Sequence, residues 1–405
     1  MNSGNIFRSF SSSRRQFLKQ SAALAAAVGV APAALSAGAG SANAATGSAY
    51  ANELWEKTKA ELAGMSDIRM DLNLHSWEGY TEEPVLDPFS RQTGANVNPQ
   101  MLISDPAAVN NLRGGGTSTW DVINLNNSWQ RNQLFPEGLI VPLDKDKFAP
   151  LYDMNRYGPA GLAVNTDLVD PQTMESGGYM EMIEGAKGQY GILDYENWVI
   201  MHTCIASGFI PFREHTADEM AAFEENIFKL FENAKKVSDD QAALARDMIT
   251  GEIIGTYPGS VYTVSAARLE GETQLVNVVP AEGPEETKTA ERPMGQGGIV
   301  WIEVTSLVNN PDPTPLAEAF LIYCHTPEAA YKVAAKAPGT LNPVVQMGAP
   351  EVLSQFSQDE LDAVHWGEDG SWLASLVDRC VDFDINPDYD AMHDLYTQAK
   401  RSRGA

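Results

Sequence analysis

The 405-residue chain carries 28 basic and 54 acidic side chains, a formal charge of −26 at pH 7. That balance argues against nucleic acid, which needs a basic surface, and against anionic membrane surfaces; strong acidity is a solubility trait and also suits a cationic ligand through long-range attraction. Cys204, Cys324 and Cys380 allow at most one disulfide and form no C-x-x-C pair, and the six histidines are scattered, so no metal site and no cofactor is expected.

The N-terminal segment reads as an export signal. Ser13-Arg14-Arg15-Gln16-Phe17-Leu18-Lys19 matches the twin-arginine pattern, an uncharged Ala-rich stretch runs from Ser21 to Ala42, and Ala42-Asn43-Ala44 is an A-x-A cleavage site. Residues 1–44 are therefore assigned to a removed twin-arginine signal peptide, with the mature chain starting at Ala45 in the periplasm. The stretch is too weakly apolar, with Pro32 inside it, to hold a bilayer span, and no later segment approaches 18 uncharged apolar residues. Losing the four basic residues of 1–44 (Arg8, Arg14, Arg15, Lys19) takes the charge to −30 and leaves about 360 residues. That exceeds the size at which a single core usually stops growing, so two lobes or domains are expected.

In chain order, an amphipathic helix is predicted over 49–65 and a half-buried alternating strand over 68–74, followed by a turn at Ser76-Trp77-Glu78-Gly79-Tyr80. A helix over 83–93 stops at Gly94, a weaker strand covers 97–102, a helix over 107–113 ends in Gly114-Gly115-Gly116, and a third strand covers 121–125. Strand–helix–strand–helix–strand implies an α/β lobe with a mostly parallel sheet. Further strands are predicted over 161–165, 190–194, 274–280 and 298–308, and helices over 195–207, 219–238, 241–250, 316–336 and 387–401. Gly255-Thr256-Tyr257-Pro258-Gly259-Ser260 reads as a sharp break, and 281–295 as a solvated loop.

Several of these segments, in this order, resemble the extracellular solute-binding proteins of ABC importers, nearest to the spermidine/putrescine-binding type. The likeness spans 68–401. It is carried by the strand running into Ser76-Trp77-Glu78-Gly79-Tyr80, by Trp120-Asp121-Val122-Ile123 and Gly138-Leu139-Ile140-Val141-Pro142-Leu143-Asp144, by Gly297-Gly298-Ile299-Val300-Trp301-Ile302-Glu303, and by Ala317-Glu318-Ala319-Phe320-Leu321-Ile322-Tyr323 with Pro338-Gly339-Thr340-Leu341-Asn342-Pro343. The resemblance implies an α/β, two-lobe periplasmic-binding-protein type II fold, each lobe a mostly parallel sheet flanked by helices, with a hinged cleft between. On it, lobe 1 comprises 66–161 and 303–345, and lobe 2 comprises 162–302 and 346–405. It also implies a monomer, not an enzyme, that hands a captured solute to a membrane permease driven by an ATPase.

In such proteins aromatic rings cradle a methylene chain and carboxylates pair with ammonium groups. Carried over, Trp77 and Tyr80 match a first aromatic pair, Trp301 and Glu303 a Trp-x-acid motif on one strand face, and Tyr257 another ring. Glu303 is the more telling, because an acid amid Ile-Val-Trp-Ile is costly unless paired. Two departures stand out. The family's acidic pair falls near Asp194, whose competing role is a helix N-cap, but its own positions hold Tyr195 and Trp198; a Ser-x-Tyr loop becomes Asn126-Asn127-Ser128-Trp129, placing Asn127 and Trp129 at the cleft. The expected ligand is thus a cationic amine: a polyamine such as putrescine or spermidine. A quaternary amine or betaine, an amino-acid derivative or iron on the same fold are alternatives. A twin-arginine-exported enzyme is the rival class, though no G-x-G-x-x-G, G-x-S-x-G, haem or cluster motif is present.

Overall fold

The computed structural model describes residues 38–403 except 149, 150, 152, 153 and 338. The twin-arginine motif lies outside the described residues; the proposed cleavage site, residues 42–44, lies in the helix Gly38–Ala63. Ten strands follow: β1 (Asp71–Ser76), β2 (Asn96–Met101), β3 (Val122–Asn126), β4 (Met154–Asn165), β5 (Tyr190–Leu193), β6 (Lys236–Ser238), β7 (Gly255–Ser260), β8 (Leu275–Val278), β9 (Gly298–Leu307) and β10 (Cys380–Asp382). They form one curled sheet in the order β2-β1-β3-β9-β4-β7-β5-β6, with β8 on β4 and β10 on β9.

The first three strands are parallel and joined by helices Glu83–Thr93 and Asp105–Arg113. Both helices obey local rules. Gly94 closes the first in the left-handed region at φ 77°, and the Ser104 side chain caps the second by accepting from Ala107 N. β5, β6 and β7 form a second parallel group. Between the groups run β4 and β9, antiparallel to each other. β9 pairs with β3 through its C-terminal half, while β4 pairs with β7 and β8 through residues 160–165.

These two strands join two cores. One gathers Leu72, Leu74, Phe89, Phe320 and Tyr323; the other gathers Tyr190, Ile192, Val199, Phe223 and Phe231. β4 gives Tyr157 to the first and Leu162 and Val164 to the second; β9 gives Ile302 to the first and Ile299 to the second. Val352, Trp366 and Leu376, from the stretch assigned above to lobe 2, are buried in the first core, while the helix Gln358–Ala363 lies on the helix Val261–Leu269. The C-terminal helix Tyr389–Ser402 packs on helices Ala217–Asn233 and Glu196–Ala206.

Three elements depart from the sequence reading. The segment 255–260 is not a break but strand β7, all six residues buried, because β4 and β5 flank it. The helix predicted over 219–238 ends at Asn233: Ala234 turns extended at ψ 139° and 236–238 joins the sheet as β6. The helix predicted over 316–336 divides into Pro315–Cys324 and Pro327–Ala335; a proline cannot continue a helix but suits its first turn, and Thr326 caps the second helix by accepting from Ala329 N. No described helix is long and apolar enough to cross a membrane. All three cysteines are buried thiols, and burial pushes those of Cys204 and Cys324 far above the usual range.

Candidate functional site

Trp77 follows β1, Asn127 and Trp129 follow β3, Tyr195 follows β5 and Tyr262 follows β7. All stand beyond the carboxyl ends of parallel strands, where open α/β sheets place ligands. Trp301 and Glu303 lie on β9, where it crosses against β4.

An ion pair occupies the crossing point. Between the pairs Met154–Val304 and Tyr157–Ile302, β4 has one residue more than β9, a bulge that re-aims the Arg156 side chain. Its Nε donates to Glu303 Oε2 and its Nη2 to Glu303 Oε1, each at 2.9 Å. The side chains are 1% and 7% exposed. The guanidinium lies 5.1 Å over the Tyr80 ring, and the Arg156 backbone N–H donates to Tyr80 Oη at 3.2 Å. Burial raises the Glu303 carboxyl to about 7, and the Arg156 charge and hydrogen bonds oppose the rise. Glu303 was expected to face a ligand cation; it faces an internal one. Tyr80, expected as a cleft ring, is fully buried against Arg156.

Glu78 occupies the neighbouring position with different surroundings. Its carboxylate is 38% exposed and lies 3.8 Å from Arg156 Nη2. Its charge reaches two half-buried tyrosines that pack on a smaller apolar cluster with Leu193 and Leu244. Burial, then Tyr195, then Glu78 raise the Tyr262 phenol; burial raises that of Tyr195, against a hydrogen bond from Gln241, and Glu78 adds to the rise. Tyr262 meets Trp301 edge-to-face at 5.9 Å. The Trp301 indole lies on Gly158, where a Cβ would sit 2.8 Å from Cζ2, and its Nε1 donates to Ser260 Oγ at 3.3 Å. Glu78 thus has one close charged neighbour, Arg156, and acts on Tyr195 and Tyr262 through its charge, while Trp301 is buried against Tyr262, Gly158 and Ser260.

Trp77 packs on the apolar cluster of Leu102, Val109 and Leu125, and near that cluster the buried Asp105 carboxyl accepts from Asn126 N at 3.2 Å and Asn126 Nδ2 at 2.7 Å. Burial raises Asp105 to about 6, against the hydrogen bonds from Asn126.

A second group lies where the turn after β3 meets the loop before the C-terminal helix. Ser128 Oγ donates to Phe383 O at 2.7 Å, and Asp384 takes Arg131 at 2.9 Å and Asn132 at 2.6 Å. Trp129, Phe383, Asn197, Tyr389 and Asp390 line a cavity of about 190 Å³ there. Trp198 packs on Phe383 at 5.7 Å, and the half-buried Asn127 accepts from Ser128 Oγ.

Two expected residues lie elsewhere. Tyr257 is fully buried and shares a hydrogen bond with Thr203 in the second core. Asp194 is neither N-cap nor open acid: its carboxylate takes the Tyr396 hydroxyl and Lys400. Sequence reading missed Glu78, Arg156 and Tyr262 as site residues. Glu78 stands between Trp77 and Tyr80 in the same turn, a signal the sequence does carry; Arg156 and Tyr262 carry no local signal. Among the described residues, no group of three or more His, Cys, Asp or Glu side chains is placed to hold a metal ion.

No family model matches the chain, and no curated protein matches it. Solved structures do. A putative spermidine/putrescine ABC transporter protein from Listeria monocytogenes superposes with a TM-score of 0.62 at 14% identity, covering 82% of this chain and 100% of that one. The spermidine/putrescine substrate-binding protein PotD of Streptococcus pneumoniae gives 0.58 at 16% identity, over 83% and 100%. The fold is that of ABC-importer solute-binding proteins. A third such structure, MotA of A. tumefaciens in complex with glucopine, gives 0.57 at 13% identity over 82% and 100%, so one fold serves chemically different solutes.

Proposed function

We propose that this chain is the solute-binding component of an ABC importer and that it captures a cationic amine between its two cores. The observation that carries the ligand class is the half-exposed Glu78 carboxylate beyond the end of β1, whose charge is felt by the phenols of Tyr195 and Tyr262. A carboxylate supplies the charge-assisted acceptor and each ring adds about 0.5–2 kcal/mol of cation–π attraction. The net charge of −26 draws the same class of solute from a distance. The fold supports delivery to a membrane permease and its ATPase, and the twin-arginine pattern supports export to the periplasm. Likeness to polyamine-binding proteins and the aromatic–acid cluster together favour primary and methylated amines over sugars and carboxylates.

A thermal-shift and calorimetric screen of the purified protein tests this. Putrescine, spermidine, choline, glycine betaine, neutral amino acids and sugars are titrated in turn. A bound amine raises the melting temperature by mass action. Shifts confined to sugars or carboxylates overturn the amine reading.

A further inference from the structure

We infer that Arg156 is a specificity-determining residue that restricts the site to solutes bearing a single positive charge, an inference that rests on the amine-binding reading above. In a site of carboxylates and rings, the number of ammonium groups accepted follows the number of carboxylates left without an internal hydrogen-bond donor. Three described carboxylates lie around the crossing of β4 and β9: Glu303 and Glu78 both pair with Arg156, and Asp105 holds Asn126, the register partner of Glu303.

Glu303 has both oxygens on Arg156, two parallel bonds of 2.9 Å. An ammonium offers no such fork and cannot displace one on equal terms. Nor can the guanidinium swing out of the way. It is 1% exposed, rests on the Tyr80 ring, and fills a space that exists because residue 79 lacks a side chain: a Cβ on Gly79 would sit 2.7 Å from Arg156 Nη1. Asp105 spends both oxygens on the Asn126 backbone and amide. Glu78 is the least committed of the three: it is 38% exposed, and its ion pair with Arg156 Nη2 is 3.8 Å long, beyond hydrogen-bond reach.

One carboxylate is thus open to one ammonium. A second ammonium on the same solute, directed along β9 toward Glu303, meets a guanidinium instead of a free acid. That is selection by a repulsive element built into the site. The sequence resemblance led to the opposite expectation, a dication held partly by Glu303; the side chain from β4 changes the charge count.

Butylammonium and putrescine share a four-carbon chain and differ by one ammonium, so they read out charge alone. Calorimetric titration of the wild-type protein is expected to show putrescine binding no more tightly than butylammonium. Arg156→Met, which releases Glu303, is expected to move the ratio of the two affinities at least tenfold toward putrescine. Arg156→Lys, which keeps the charge, should leave the ratio within threefold of wild type. A wild-type preference for putrescine of tenfold or more overturns the inference, and this measurement stands even if Arg156→Met fails to fold. An unchanged ratio in a folded Arg156→Met protein also overturns it. Binding of neither amine, with tight binding of an uncharged or anionic solute, removes the amine reading itself and this inference with it.

Discussion

The Arg156 guanidinium and the Glu303 carboxylate stand 147 residues apart in the chain and meet through two hydrogen bonds of 2.9 Å, where β4 and β9, which give residues to both cores, lie side by side. A charge pair this deep is held together by mutual need: either partner alone is an uncompensated buried ion. Arg156→Met should therefore lower the free energy of unfolding by about 3–5 kcal/mol. Adding Glu303→Met should recover most of that loss. Urea denaturation of the two single variants and the double variant measures the coupling; additive losses would contradict it.

Glu78 makes few internal commitments, so its removal separates binding from stability. Glu78→Gln keeps size and shape and removes the charge. Binding of the cationic solute is expected to weaken at least tenfold, about 1.4 kcal/mol. Stability should change by no more than about 0.5 kcal/mol, as for a half-exposed position outside the core. Calorimetry and thermal melting on the same sample check both halves.

Gly158 is the seat of the Trp301 indole. A methyl group there would meet ring atoms at 2.8 and 2.9 Å, far inside van der Waals contact. Gly158→Ala is expected to cost about 1–3 kcal/mol through overpacking. It should also tilt Trp301 away from Tyr262 and Ser260, changing the near-ultraviolet dichroism and lowering solute affinity. An unaltered spectrum with unaltered affinity would dissociate Trp301 from the site.

Asp105 gives a pH signature. Its folded-state carboxyl is raised from 3.8 to about 6, chiefly by burial. A raised carboxyl binds its proton more tightly in the folded state, so its contribution is fully present below pH 3.8 and is lost as pH rises through about 6. About two units correspond to about 3 kcal/mol. Asp105→Asn removes this titration. The Asn126 Oδ1 atom is buried and has no hydrogen-bond partner, so a flipped Asn126 amide can donate and accept as the new side chain requires. The stability of Asp105→Asn relative to wild type should therefore rise between about pH 4 and pH 6. Denaturation across that range reads it directly.

Local rules made much of the fold legible. The helix Glu83–Thr93 was bounded correctly because Gly94 is a left-handed stop, and β9 was found because its apolar run is long. β7 was not: Gly255-Thr256-Tyr257-Pro258-Gly259-Ser260 has the composition of a turn, and only its neighbours make it a strand. β6 was absorbed into a helix because three residues carry no period of their own. The site divides on the same line. That Glu303 needed a partner followed from its apolar neighbours; that the partner is Arg156 did not, because a bulge in a strand far away in the chain supplies it. Tyr257 has the look of a ligand-binding ring beside a proline, yet its strand sits in the middle of the sheet and carries the ring into the second core.

The sequestered thiols bear on where such a chain can mature. Cys204 and Cys324 are buried, and the same burial keeps their sulfurs protonated. Disulfide exchange needs a thiolate with access to a second sulfur. With the thiols enclosed by the cores themselves, the fold neither waits for an oxidant nor is trapped by one. It can be completed in a reducing compartment and then tolerate an oxidising one without rearrangement, which is the order of events that transport of an already folded passenger requires.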